Sequence, residues 1–215
     1  MDLMTGHKIE QRSLAIIEDT VGEHGFKLRQ WAIVRRMIHA SADFTILPLI
    51  KFNADPISKG IEAFKRGAAI ITDSTMLKSG ISRERLSQIN PVYEKDNIFC
   101  NIADNEVARL SKTHNLPRSI FNIRSLKDKI HRGIVCIGNA PTALWEIVRL
   151  IKEEGIVPDL IFAMPVGFVN VVETKDMIKQ TDLSYILMEG PRGGTTFVVA
   201  AVNAIAILAL EEINE

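Results

Sequence analysis

The chain is short of cysteine, with only Cys100 and Cys136 among its 215 residues. Neither has the spacing of a metal site or a disulfide framework, and each sits in an apolar run where a free thiol behaves as a small buried hydrophobe. That usage predicts a reducing cytoplasm. Net charge is absent as well: 26 Lys and Arg balance 26 Asp and Glu, with no block of like charge. Such a surface has no field to gather nucleic acid or an anionic membrane. The longest apolar run, Phe197 to Leu210, is interrupted by Asn203 and reads as too short to span a bilayer. The opening segment, Met1 to Lys8, lacks the apolar centre of a signal peptide. Signature loops are missing too. The chain has no Gly-x-x-x-x-Gly-Lys-Ser/Thr, no Gly-x-Ser-x-Gly elbow and no His-Glu-x-x-His, and Gly190-Pro-Arg-Gly-Gly is not a dinucleotide Gly-x-Gly-x-x-Gly. These absences predict a soluble cytoplasmic protein with no nucleic acid, membrane or metal to serve.

Apolar residues make up 47% of the chain, enough for one domain of this length to bury a substantial core. Its organising stretch is Ile134 to Leu144. Ile134-Val-Cys-Ile is too short for a helix and suits a strand buried on both faces. Gly138 permits a sharp turn, Pro141 fits a first helical position, and Leu144, Ile147, Val148 and Ile151 then recur at helical spacing. The helix end so formed would present its N–H groups to an anion. Helices are predicted over His7–Val21, Leu28–His39, Asp55–Arg66, Ser82–Ile89, Asn105–His114 and Arg118–His131, with Phe197 to about Leu210 closing the chain. Strands are predicted in Phe44–Phe52, where Pro48 demands an edge or a break, and over Ala68–Thr72, Ile98–Ile102, Leu160–Met164 and Tyr185–Met188. Five to six strands alternating with helices predict a three-layer α/β/α fold with a mostly parallel sheet.

In such sheets ligands gather beyond the carboxyl ends of the strands. Four strands here end in turns of small or polar residues, at Asp73, Gly138, Pro165 and Gly190, so these turns share one rim. Backbone N–H groups, hydroxyls and arginines around a scarce base suit a large ligand with several carboxylates. His39 is the candidate base: it lies in a last helical turn, where the dipole favours its protonated form, and Asp43 is placed to add to that. A helix cap is the bland alternative. For Ser13, mid-helix, the bland reading is a back-bonded hydroxyl. Arg118 stands at a helix start, opposed to the dipole, which calls for a surface ion pair or a ligand carboxylate.

Ile9-Glu10 with Ser13, Arg36-Met37-Ile38-His39-Ala40 with Asp43, and Asp73 with Met76 form one ordered set of motifs. It continues through Arg118-Ser119, Gly138-Asn-Ala-Pro-Thr-Ala-Leu144, Pro165-Val-Gly-Phe-Val169, and Arg192-Gly-Gly194 with Ala201-Val-Asn-Ala204. The set resembles the precorrin-8X methylmutases and their cobalt-precorrin-8 counterparts of cobalamin synthesis, over nearly the whole chain. The departures are Thr174, where the family commonly has serine, and Pro191 before Arg192. The resemblance implies a flavodoxin-like fold, a homodimer and a tetrapyrrole substrate. It also implies one isomerisation, the shift of a methyl group from C-11 to C-12 of the corrin precursor, with no external cofactor. The resemblance assigns the family's histidine to His39 and substrate contacts to Ser13 and Arg36. The rim adds Arg118, Asn139, Thr142 and Arg192, with Gly193 and Gly194, as partners for ligand carboxylates. A tetrapyrrole carrier without chemistry and a nucleotide-binding α/β protein are the competing readings; missing phosphate motifs count against the second.

Overall fold

A computed structural model describes residues 5–214; Met1–Met4, part of the segment read against a signal peptide, lie outside the described residues. Six strands form one sheet: β1 (Ile50–Asn53), β2 (Ile70–Thr72), β3 (Ile98–Phe99), β4 (Ile134–Ile137), β5 (Leu160–Ala163) and β6 (Tyr185–Met188). Their order is β1-β6-β5-β4-β2-β3, parallel throughout except for β1, which pairs antiparallel with β6. The run β3-β2-β4-β5-β6 is the flavodoxin-like winding, with its topological switch between β2 and β4.

Helices α1 (Gly6–Val21) and α2 (Leu28–Ser41) precede the sheet. Between β1 and β3 lie α3 (Pro56–Arg66), α4 (Thr75–Gly80) and α5 (Arg83–Ile89). After β3 come α6 (Asn105–His114), α7 (Arg118–Ser125) and α8 (Lys127–Ile130), followed by α9 (Pro141–Glu154), α10 (Val171–Lys179) and α11 (Thr195–Asn214). The strands' two-residue period divides the core. Ile70, Cys136, Phe162 and Ile186 face one way, onto α2, α3 and α11 through Ile38, Phe64 and Ile205. Ile71, Val135, Ile161 and Leu187 face the other way, onto α7, α9 and α10 through Ile123, Ile147 and Ile178. Covered on both sides, β4, β5 and β6 are buried at every position, which is why they read as unbroken apolar runs.

Four expectations change. Phe44–Leu49 forms a 3-10 turn, and only Ile50–Asn53 is strand; Pro48 has no N–H for a ladder, and β1 takes the edge. The polar turn expected at Asp73–Met76 runs into α4, capped by Ser74, whose side chain accepts from the Leu77 N–H. Arg118–His131 is two helices, because Leu126 leaves helical geometry at φ −111° and ψ 8°. Finally, α11 has 20 residues and is long and apolar enough to cross a membrane by length and composition, which overturns the reading of that run as too short. Here it serves as a core helix. Its Val198, Ala201, Val202 and Ile205 are buried, and Asn203 accepts from the Ser82 N–H and donates to the Gly80 carbonyl.

Candidate active site

Because β2, β4, β5 and β6 are parallel, their carboxyl ends open on one edge, and antiparallel β1 starts there. At the switch point, the buried Asp73 that follows β2 turns its carboxylate into the start of α9. It accepts N–H groups from Gly138 at 3.2 Å, Asn139 at 2.7 Å and Ala140 at 2.7 Å. Burial pushes the Asp73 pKa up, and the three N–H groups pull against that shift. The chain's own carboxylate therefore occupies the helix end that the sequence offered to a ligand. Alongside, the Ser119 and Thr142 hydroxyls lie 2.7 Å apart. Asn122, fully buried, donates to the Thr72 carbonyl and accepts the Asn101 N–H.

The next turn is pressed into this one. An ideal Cβ on Gly138 would stand 2.9 Å from the Cα of Thr195, and one on Gly193 would stand 2.2 Å from the carbonyl oxygen of Met164. Only glycine fits at either approach. The Gly194 N–H donates to Met164 O, and the Gly167 N–H to Pro191 O. Beneath the 190–194 loop, Lys175 of α10 is 1% exposed. Its Nζ donates to the carbonyls of Gly190 at 2.8 Å and Arg192 at 2.6 Å, and desolvation pushes its pKa down to about 8. The Arg192 guanidinium points outward and donates to Thr45 and Asp43, joining this loop to the 3-10 turn that follows α2.

On that side, His39 is exposed in the last turn of α2. One turn earlier, Arg36 donates to Glu10 of α1 at 2.6 Å. The Arg36 hydrogen bond holds Glu10 below the ordinary carboxylate pKa, against desolvation, and the charges of Arg36, His39 and Arg85 add to the lowering. Arg36 also lines a groove of about 840 Å³ between α1, α2 and α11. The rim further exposes Met76, Val166, Phe168 and Val169, with Phe168 96% exposed. Cations, hydroxyls and apolar surface on one edge can hold a flat, many-armed acid and offer it a proton.

A family model described as precorrin-8X methylmutase matches residues 8–208. The chain belongs to the precorrin-8X methylmutase family. It is 40% identical to the cobalt-precorrin-8 methylmutase of Leptospira interrogans serogroup Icterohaemorrhagiae serovar Lai (strain 56601), over 95% of this chain and 94% of that protein. Against the cobalt-precorrin-8 methylmutase of Methanocaldococcus jannaschii it is 37% identical, over 96% of each. The solved precorrin-8X methyl mutase from Thermus thermophilus superposes with a TM-score of 0.88 at 36% identity, covering 96% of this chain and 98% of that one.

In this methylmutase fold the expected site residues form two groups. Arg36 and His39 lie in the last two turns of α2, Ser13 follows Glu10, the Arg36 partner, by three residues along α1, and Arg192 with Gly193 and Gly194 reaches the α2 end through Asp43. Arg118, Asn139 and Thr142 belong to the β2–β4 switch, joined to the first group by the abutment of Gly138 on Thr195. No hydrogen bond among the described residues runs directly between the two groups. Ser13 donates to Ile9 O at 2.9 Å, the back-bonded geometry. Arg118 is exposed and has no carboxylate within 4 Å among the described residues, unlike Arg36 and Arg192. Asp43 does not pair with His39. Its carboxylate accepts the Thr45 hydroxyl and N–H and then pairs with Arg192, and these contacts hold its pKa down. Sequence reasoning gave no part to Lys175 or Asn122, the two buried side chains whose hydrogen bonds tie the rim loops. Lys175 was legible only as one lysine on a helix, and nothing in its spacing signals burial.

Proposed function

We propose that the chain catalyses the methylmutase reaction of cobalamin biosynthesis, in which a methyl group moves from C-11 to C-12 of precorrin-8X or its cobalt form. The observation that carries this reading is the family match from residue 8 to 208, and an isomerase fits it better than a carrier. A 1,5-sigmatropic shift needs no nucleophile. It needs the macrocycle held in one tautomer and a proton given to the ring nitrogen beside the reacting carbon. In this reading His39 as imidazolium is the donor, and Arg36 and Ser13 hold the arms nearest it. Arg118, Asn139, Thr142 and Arg192, with the glycine backbone at 193 and 194, take the remaining acetate and propionate groups. Met76 and Phe168 give the flat ring an apolar surface. The enzyme works in the cytoplasm as a homodimer, apart from nucleic acid and membrane.

The test is His39→Ala. Turnover, followed by the pigment's absorbance change, falls by about 100-fold or more while the far-UV spectrum and melting temperature stay at wild-type values. Wild-type turnover in this variant refutes the role of His39. A wild-type chain that leaves both precorrin-8X and cobalt-precorrin-8 unchanged refutes the reaction.

A further inference from the structure

The buried amine beneath the 190–194 loop has no counter-ion: no carboxylate lies within 4 Å of Lys175 among the described residues, and its partners are the carbonyl oxygens of Gly190 and Arg192. A buried ammonium without a carboxylate is costly, and a methionine of similar length would remove that cost. Stability is thus a poor reason for a lysine here. What the amine does is geometric. The loop turns through Gly190 at φ +71° and Gly194 at φ +134°, left-handed conformations that favour glycine, the residue whose backbone is least restricted. Gly193 lies flat on the Met164 and Pro165 carbonyls, and Lys175 draws two loop carbonyls inward from the other side. With its carbonyl turned in, Arg192 has its side chain turned out, 46% exposed, against Asp43 and Thr45.

We propose that Lys175 is a positioning residue: by clasping the carbonyls of Gly190 and Arg192 it sets the direction in which Arg192 meets the substrate. The inference rests on the methylmutase reading and goes beyond it, because Lys175 itself touches no substrate. Arg192 grips a carboxylate that is the same before and during the methyl shift, so its loss weakens binding without slowing chemistry.

The experiment is a kinetic double-mutant cycle on the full chain with Lys175→Met, Arg192→Ala and the pair, scored by pigment absorbance. Lys175→Met raises KM about tenfold, the share of one charge-assisted hydrogen bond, with kcat within about twofold and a melting temperature at or above wild type. Arg192→Ala raises KM by at least as much, and the double variant is no worse than Arg192→Ala alone. Lys175→Gln, which keeps an N–H donor, falls between wild type and Lys175→Met. Three results overturn the inference while leaving the methylmutase reading intact: an unchanged KM in both Lys175 variants, additive effects in the cycle, or failure of both variants to fold. A wild-type chain that does not turn over the pigment removes the reading itself.

Discussion

Asp73 does at the residue scale what a bound anion does in many α/β proteins. Three N–H groups converge on it at 2.7–3.2 Å, in a site that desolvates it. An amide in its place has one acceptor oxygen, and its NH2 must face at least one of those donors. Asp73→Asn is therefore expected to cost about 2–3 kcal/mol, read as a lower urea midpoint at unchanged slope. A midpoint equal to wild type would mean that the turn relaxes without its anion. The sequence displays Asp73 as a polar residue after a strand, and Gly138-Asn-Ala-Pro141 as a helix start. It does not display that the one satisfies the other, since 65 residues separate Asp73 from Gly138. The same holds for Lys175, whose two carbonyl partners lie 15 and 17 residues on.

At the scale of elements, α7 and α9 are tied by a carboxylate with no solvent access. Glu146 is 0% exposed and accepts a fork from Arg124 at 2.9 and 3.0 Å, while Arg149 donates to it at 2.7 and 2.9 Å. This tie sets α7, which carries Arg118 and Ser119, against α9, which carries Thr142. Arg149→Ala leaves a buried charge on one partner and is expected to cost about 3 kcal/mol in chemical denaturation. Glu146→Leu costs less, because Arg124 and Arg149 are 38% and 19% exposed and regain water. Equal losses in the two variants would contradict this account. Long elements with caps were legible: Asp55-Pro56 opens α3 and Gly67 closes it, and Gly155 closes α9. Short ones were not. At six residues, α4 is too brief for a 3.6 period to register, and the break at Leu126 falls inside an unbroken helical pattern.

At the scale of the whole molecule, buried titratable groups on different elements pull stability in opposite directions as pH rises. The Lys175 pKa is down to about 8 in the folded chain because of desolvation, against about 10.4 unfolded. Between those values the unfolded chain holds more protons, so this group's contribution to stability rises with pH. Burial pushes Cys136 well above the usual thiol value; above about pH 8.5 the unfolded chain loses that proton first and stability falls. The two overlap, so the Lys175 part is read as a difference. Wild-type stability measured against Lys175→Met gains on the variant from about pH 8 to 10.4 and is level with pH below that window. A flat difference across the window would mean that the amine stays charged in the fold.

By itself the sequence determined the class of fold, the strand-and-helix alternation and the family, because apolar periodicity, capping residues and the Gly138 and Pro165 motifs are local. It also determined that polar turns follow four buried strands, and a parallel sheet then has to gather them on one edge. Only the tertiary structure decided which charges are free to meet a ligand. Asp73 fills the α9 helix end, Asp43 turns to Arg192 instead of His39, Glu10 takes Arg36, and Arg118 has no carboxylate within 4 Å among the described residues. Those pairings join residues far apart in the chain through directions set by packing, and no spacing along a sequence encodes a direction in space.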